Sequence, residues 1–105
     1  MVYTDGIRDL MVLAVAQANG CDYCLSAHTY LDLNLAKISP EEIALNRKDG
    51  SGDAKANAAV HFAAQVAKER GHFGEDDIKA VRNAGYTDAQ VVEIVALVAE
   101  NSFTN

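Results

Sequence analysis

Two cysteines and a histidine stand close together in Gly20-Cys21-Asp22-Tyr23-Cys24-Leu25-Ser26-Ala27-His28, a segment that holds both cysteines and one of the three histidines of the chain. Thiols three residues apart can close a small disulfide ring. His28 follows Cys24 by four residues, so in a helix its imidazole lies one turn beyond that sulfur and within its reach. If the helix begins near Gly20, both sulfurs sit in its first turn. Unpaired backbone N–H groups and the positive end of the helix dipole then favour thiolate over thiol. The imidazole can accept the Cys24 proton or stabilise the anion left behind. Cys24 is therefore the better placed nucleophile and Cys21 the resolving partner. A peroxide attacked by Cys24 leaves a sulfenic acid, which Cys21 converts to a disulfide. The same parts can exchange disulfides with a small dithiol or a protein.

Other readings of these residues are weaker. Cys21, Cys24 and His28 supply only three zinc ligands, whereas structural zinc sites draw paired clusters from two segments, so no metal is expected. Haem attachment needs histidine directly after the second cysteine, where Leu25 stands. Two inert buried cysteines are the plainest alternative. His61 lies beside Phe62 on an alanine-rich stretch and reads as a packed or surface histidine, and His72 follows Gly71 in a turn. Asp9 precedes Cys21 by twelve residues and on its own reads as a surface acid.

The elements that must position these groups read as helices throughout, an all-α fold of about six. Alanine is abundant, there is one proline, and no run alternates apolar and polar residues over strand length. The pattern predicts a first helix over Asp5 to Ala18, with Leu10, Leu13, Ala14 and Gln17 at helical spacing and Asn19-Gly20 as its stop. A second runs from Gly20 to about Ala36. There Cys21, Cys24, Leu25, His28, Leu31 and Leu35 form a stripe that should face the core. Ser39-Pro40-Glu41-Glu42 opens a short third helix ending near Arg47, with a glutamate three residues after its cap. Lys48 to Gly52 is a flexible link. Asp53 caps a long helix to Arg70 that ends at Gly71; Glu75-Asp76-Asp77 opens another, closed by Asn83-Ala84-Gly85. Thr87-Asp88-Ala89-Gln90 is a capping box for the last helix. Val91, Val92, Ile94, Val95, Leu97 and Val98 cover most of its circumference, the pattern of a central core helix or of a subunit interface.

Composition narrows the function. At 105 residues, half of them hydrophobic and 23% charged, residues 1–105 read as one folded domain. A net charge of −6 offers no basic stripe for phosphates, so nucleic acid is not an expected partner. The apolar stretches Leu10–Ala16 and Val91–Ala99 are too short to span a bilayer, and no membrane partner is expected. The start Met1-Val2-Tyr3-Thr4-Asp5 carries no basic region followed by an apolar run, which sets a cytoplasmic expectation. In a reducing compartment a close cysteine pair is catalytic or metal-binding more often than a structural staple.

Arg8-Asp9-Leu10, the aliphatic run after it, Ala18-Asn19-Gly20-Cys21-Asp22-Tyr23-Cys24 and Ala27-His28-Thr29 resemble the AhpD-like superfamily, which includes alkyl hydroperoxidase AhpD and the carboxymuconolactone decarboxylase family. Gly85-Tyr86-Thr87-Asp88-Ala89-Gln90-Val91-Val92-Glu93-Ile94, Asn101 and Phe103-Thr104-Asn105 extend the resemblance over most of the chain. It implies an all-helical AhpD-like domain that assembles into trimers, hexamers or similar rings around an intersubunit helical core. It also implies a relay of a carboxylate, two cysteines and a histidine. Carried over by position, Cys24 is peroxidatic, Cys21 resolving, His28 the relay histidine and Asp9 the carboxylate. Two departures stand out: Asp9 is one methylene shorter than the usual glutamate, and Tyr23 stands where some members have histidine. Many members extend further at both ends, so the expectation is a core domain shortened at each.

The leading expectation is an alkyl hydroperoxide reductase cycling between dithiol and disulfide, with no cofactor. Its substrate is a hydroperoxide and its reductant a dithiol, of which the lipoyl type is the family's best known. A general thiol-disulfide oxidoreductase is the runner-up. A carboxymuconolactone decarboxylase-like enzyme is less favoured, because members near that branch generally lack the cysteine pair. An oligomeric helical scaffold is the non-enzymatic alternative.

Overall fold

The computed structural model describes residues 7–70, 72 and 74–105. These form six helices: α1 (Ile7–Asn19), α2 (Asp22–Asn34), α3 (Pro40–Arg47), α4 (Ala54–Glu69), α5 (Glu75–Asn83) and α6 (Asp88–Thr104). No strand occurs among the described residues. The expected Asp5 start of the first helix lies outside them.

The helix ends follow from local chemistry. Gly20 adopts φ +69°, and its N–H donates to the Gln17 carbonyl while the Cys21 N–H reaches back to Ala16. This pair of bonds closes α1 in a Schellman motif, whose left-handed position glycine occupies without a steric penalty. Ser39 caps α3 by accepting the Glu42 N–H, with Pro40 opening the helix. Asp53 caps α4 through the Ala56 N–H, and Thr87 and Gln90 exchange both bonds of a capping box at α6. Two ends differ from the sequence reading. The left-handed residue closing α4 is Arg70 at φ +52°, and Gly71 lies outside the described residues. The Glu42 carboxylate is turned away from the α3 cap, accepting bonds from Asn46 Nδ2 and the Gly52 N–H.

That second difference changes the character of residues 48–52, expected as a flexible link. Asn46 Nδ2 also donates to the Gly50 carbonyl, and the Ser51 N–H donates to Asn57 Oδ1. The loop backbone is tied to both flanking helices by their side chains, Glu42 and Asn46 on one side and Asn57 on the other.

α1 is the central helix. Met11, Val12, Leu13, Ala14, Val15 and Ala16 are all buried in succession, as happens when a helix has neighbours on every side. It packs mainly on α4, and also on α2, α3 and α6. Met11, Val12, Ala14 and Val15 join Phe62 of α4 and Ile94 and Leu97 of α6 in the larger core. Leu13 and Ala16 turn the other way and form a second, smaller core with Leu25 and Ile43. The central place expected for the last helix thus belongs to the first: α6 leaves Val92 67% exposed.

Candidate active site

The small core decides where the cysteine segment lies. Leu25 of α2 is buried against Leu13 and Ala16 of α1, and Cys24 packs beside them, half-buried. Asp9 precedes Leu13 by four residues and Ala16 by seven, so it shares their face of α1. Its charge acts on His28 and on Asp32, both further along α2. Low numbers on one helix thus meet high numbers on the other, and α1 and α2 form an antiparallel hairpin turned at Gly20.

Cys21 and Cys24 are joined as a disulfide with a Cα–Cα separation of 5.2 Å. Cys21 is itself the N-cap of α2: its backbone is extended, and its sulfur accepts the Cys24 N–H at 3.3 Å. A thiolate at Cys21 in the reduced protein therefore gains one charge-assisted bond and the positive end of the helix dipole. Cys24, within the first turn, gains the same dipole and has His28 one turn further along its own face. The two sulfurs are favoured as anions by different neighbours.

His28 is half-buried. Burial lowers its pKa below the ordinary 6.5, the positive charge of Arg8 lowers it further, and Asp9 pulls the other way. The net effect is an imidazole that is neutral at pH 7 and free to accept a proton. Asp9 reaches it through charge, and no hydrogen bond joins the two among the described residues.

Asp32 is the residue the sequence reading missed. The stripe expected to continue through Leu31 and Leu35 does not, since these are 43% and 75% exposed. The buried positions are Leu25 and Asp32, with His28 between them. Only 3% of Asp32 is exposed, and its Oδ2 has no hydrogen-bond partner. Burial, and then the negative charge of Asp9, push its pKa from 3.8 to about 7. Its signal was present in the spacing, eight residues after Cys24 and four after His28, but an acid on an apolar stripe is easily assigned to solvent. His61 and His72 are exposed and lie on other elements.

An open groove of about 620 Å³ runs along another face of α2, lined by Leu25, Thr29, Tyr30, Leu33 and Arg47 among others. Neither cysteine, nor His28, Asp9 or Asp32, lines it.

The model of the carboxymuconolactone decarboxylase family matches residues 5–69, more than half of the chain and all of the α1–α2 hairpin. The chain belongs to the carboxymuconolactone decarboxylase family. It matches no curated protein and no solved structure. Within this AhpD-like family the all-helical fold and the cysteine pair at the head of the second helix fit, and the family includes both decarboxylases and AhpD peroxidases. Among the described residues of this family member, no helix is long and apolar enough to cross a membrane.

Proposed function

We propose that this member of the family is a dithiol peroxidase that reduces organic hydroperoxides through Cys24 and Cys21. The observation carrying this reading is the Cys21–Cys24 disulfide at the N-terminus of α2, with a neutral His28 one turn beyond Cys24. In the reduced protein the Cys24 thiolate attacks the terminal oxygen of the hydroperoxide. The O–O bond breaks, an alkoxide leaves with the electron pair and takes up a proton, and Cys24 becomes a sulfenic acid. Cys21 then attacks that sulfur and expels water, forming the disulfide. Two thiols lose two electrons, and the hydroperoxide becomes an alcohol and water. A small dithiol of the lipoyl class returns the disulfide to the dithiol, itself closing to a ring.

Asp9 supports the imidazole electrostatically as the carboxylate of the relay. The exposed Tyr23, Tyr30, Leu31 and Leu33 of α2, with Leu35 at its C-cap, support the family's habit of self-association into trimers or hexamers.

Titrating free thiols of the reduced protein before and after one equivalent of an organic hydroperoxide tests the reading. Rapid loss of two thiols per peroxide is expected, with no comparable loss in Cys24→Ser. A thiol titre that stays unchanged while the peroxide persists overturns it. Decarboxylation of a lactone acid by a Cys21→Ser, Cys24→Ser double variant would move the site away from the sulfurs altogether.

A further inference from the structure

We infer that Asp32 is a positioning residue of this site, a buried carboxylic acid that stores, one helical turn beyond His28, the proton released by Cys24. The inference rests on the peroxidase reading and deepens it.

Three observations carry it. Asp32 is almost wholly removed from solvent, yet its Oδ2 has no partner, so a charged form there lacks both water and a donor. It shares one face of α2 with His28 and Cys24, at successive intervals of four residues. The negative charge of Asp9 on α1 bears on it and opposes ionisation, as does burial, and the two hold its pKa near 7. Other charged groups around the hairpin leave this picture intact. Arg8 of α1 acts on His28. On α3, Glu42 is taken up by Asn46 and Gly52, and Arg47 donates to Gln17 Oε1 at 2.9 Å. Glu41 and Lys37 are exposed.

The proton balance then closes within the protein. In the reduced enzyme Cys24 is a thiolate and its proton resides on the Asp32 carboxyl. When the thiolate takes the terminal hydroperoxide oxygen, the departing alkoxide takes the proton from one nitrogen of the neutral His28 ring as Asp32 hands its own to the other, so the imidazole stays neutral and Asp32 becomes the carboxylate. Cys21, as the thiol, attacks the sulfenic acid and its proton leaves in the water. The dithiol reductant brings two protons with its two electrons, which restores one thiol, one thiolate and a protonated Asp32.

Asp32→Asn keeps the shape and removes the exchangeable proton. In a Cys21→Ser background, where Cys24 is the one thiol, the pH profile of alkylation should show two ionisations with Asp32 present and a single one in Asp32→Asn. Identical profiles overturn the inference. Hydroperoxide reduction by Asp32→Asn should fall at least tenfold in kcat with KM little changed and with the step near pH 7 lost. A loss by the same factor at every pH marks a merely structural role and also overturns it. Where wild type reduces no hydroperoxide, the peroxidase reading falls while the alkylation profiles still judge Asp32. If the Asn variant fails to fold, carbon NMR titration of the Asp32 carboxyl in the intact reduced protein decides. A midpoint near 7 supports the inference, and one near 4 overturns it.

Discussion

His28 and Asp32 show how one environment moves two groups in opposite senses. Burial penalises whichever form is charged, so the imidazole is held neutral and the carboxyl keeps its proton up to about pH 7. The proton therefore resides on the acid, and the base stays open. Removing the base should be visible in the sulfur: His28→Ala should raise the apparent pKa of Cys24. The midpoint of alkylation against pH should move up by that rise, and at pH values below both midpoints the rate should fall by about tenfold for each pH unit of it. An unmoved alkylation profile would count against the coupling. Asp32 also makes a prediction about stability. Its pKa is near 7 folded and 3.8 unfolded, so between those values the native state binds the extra proton and stability falls as pH rises. The full effect corresponds to roughly 4 kcal/mol above pH 7. Asp32→Asn should lose that slope, gaining on wild type in urea unfolding at pH 8 relative to pH 5. His28 acts in the other direction: its lowered pKa reduces stability as pH falls below 6.5.

At the scale of elements, the α1–α2 hairpin is what assembles the site. A Schellman turn at Gly20 ends one helix and delivers Cys21 as the cap of the next. The capping sulfur serves structure and chemistry together, and the two roles separate by substitution. Cys21→Ser abolishes disulfide formation but keeps an oxygen to accept the Cys24 N–H. Cys21→Ala removes the acceptor and should cost the reduced protein about 1 kcal/mol more in chemical unfolding. Helix ends of this kind were readable from residues alone, because a cap depends on neighbours within three or four positions. Ser39, Asp53 and Thr87 all cap where their side chains predict. The reading failed where the partner lies further away. Glu42 gives up its box for the loop at Gly52, and residues 48–52 are held by Asn46 and Asn57 instead of swinging free.

At the scale of the molecule, α1 separates two unequal cores. The larger holds Phe62 at 1% exposure, and Phe62→Ala should cost about 3–5 kcal/mol, read from denaturant unfolding. The smaller holds Leu13, Ala16, Leu25 and Ile43, and it seats α2 beside Asp9. The exposed leucines of α2 belong to the same scale. Leu31→Glu in α2 with Leu35→Glu at its C-cap should lower the mass measured by light scattering while leaving helix content unchanged.

The sequence by itself determined the helical class, most of the caps, the cysteine pair and the place of a histidine one turn beyond it, since each depends on spacing along one helix. Only the tertiary structure decided which helix is central, that Leu31 and Leu35 leave the core, and that Asp32 enters it. Periodicity marks a face but not its partner; burial depends on what packs across it, and here α1 brings Leu13 and Asp9 to one side of α2. The Cys24–His28 face thus acquires a carboxyl, Asp32, from its own helix and the charge of Asp9 from α1.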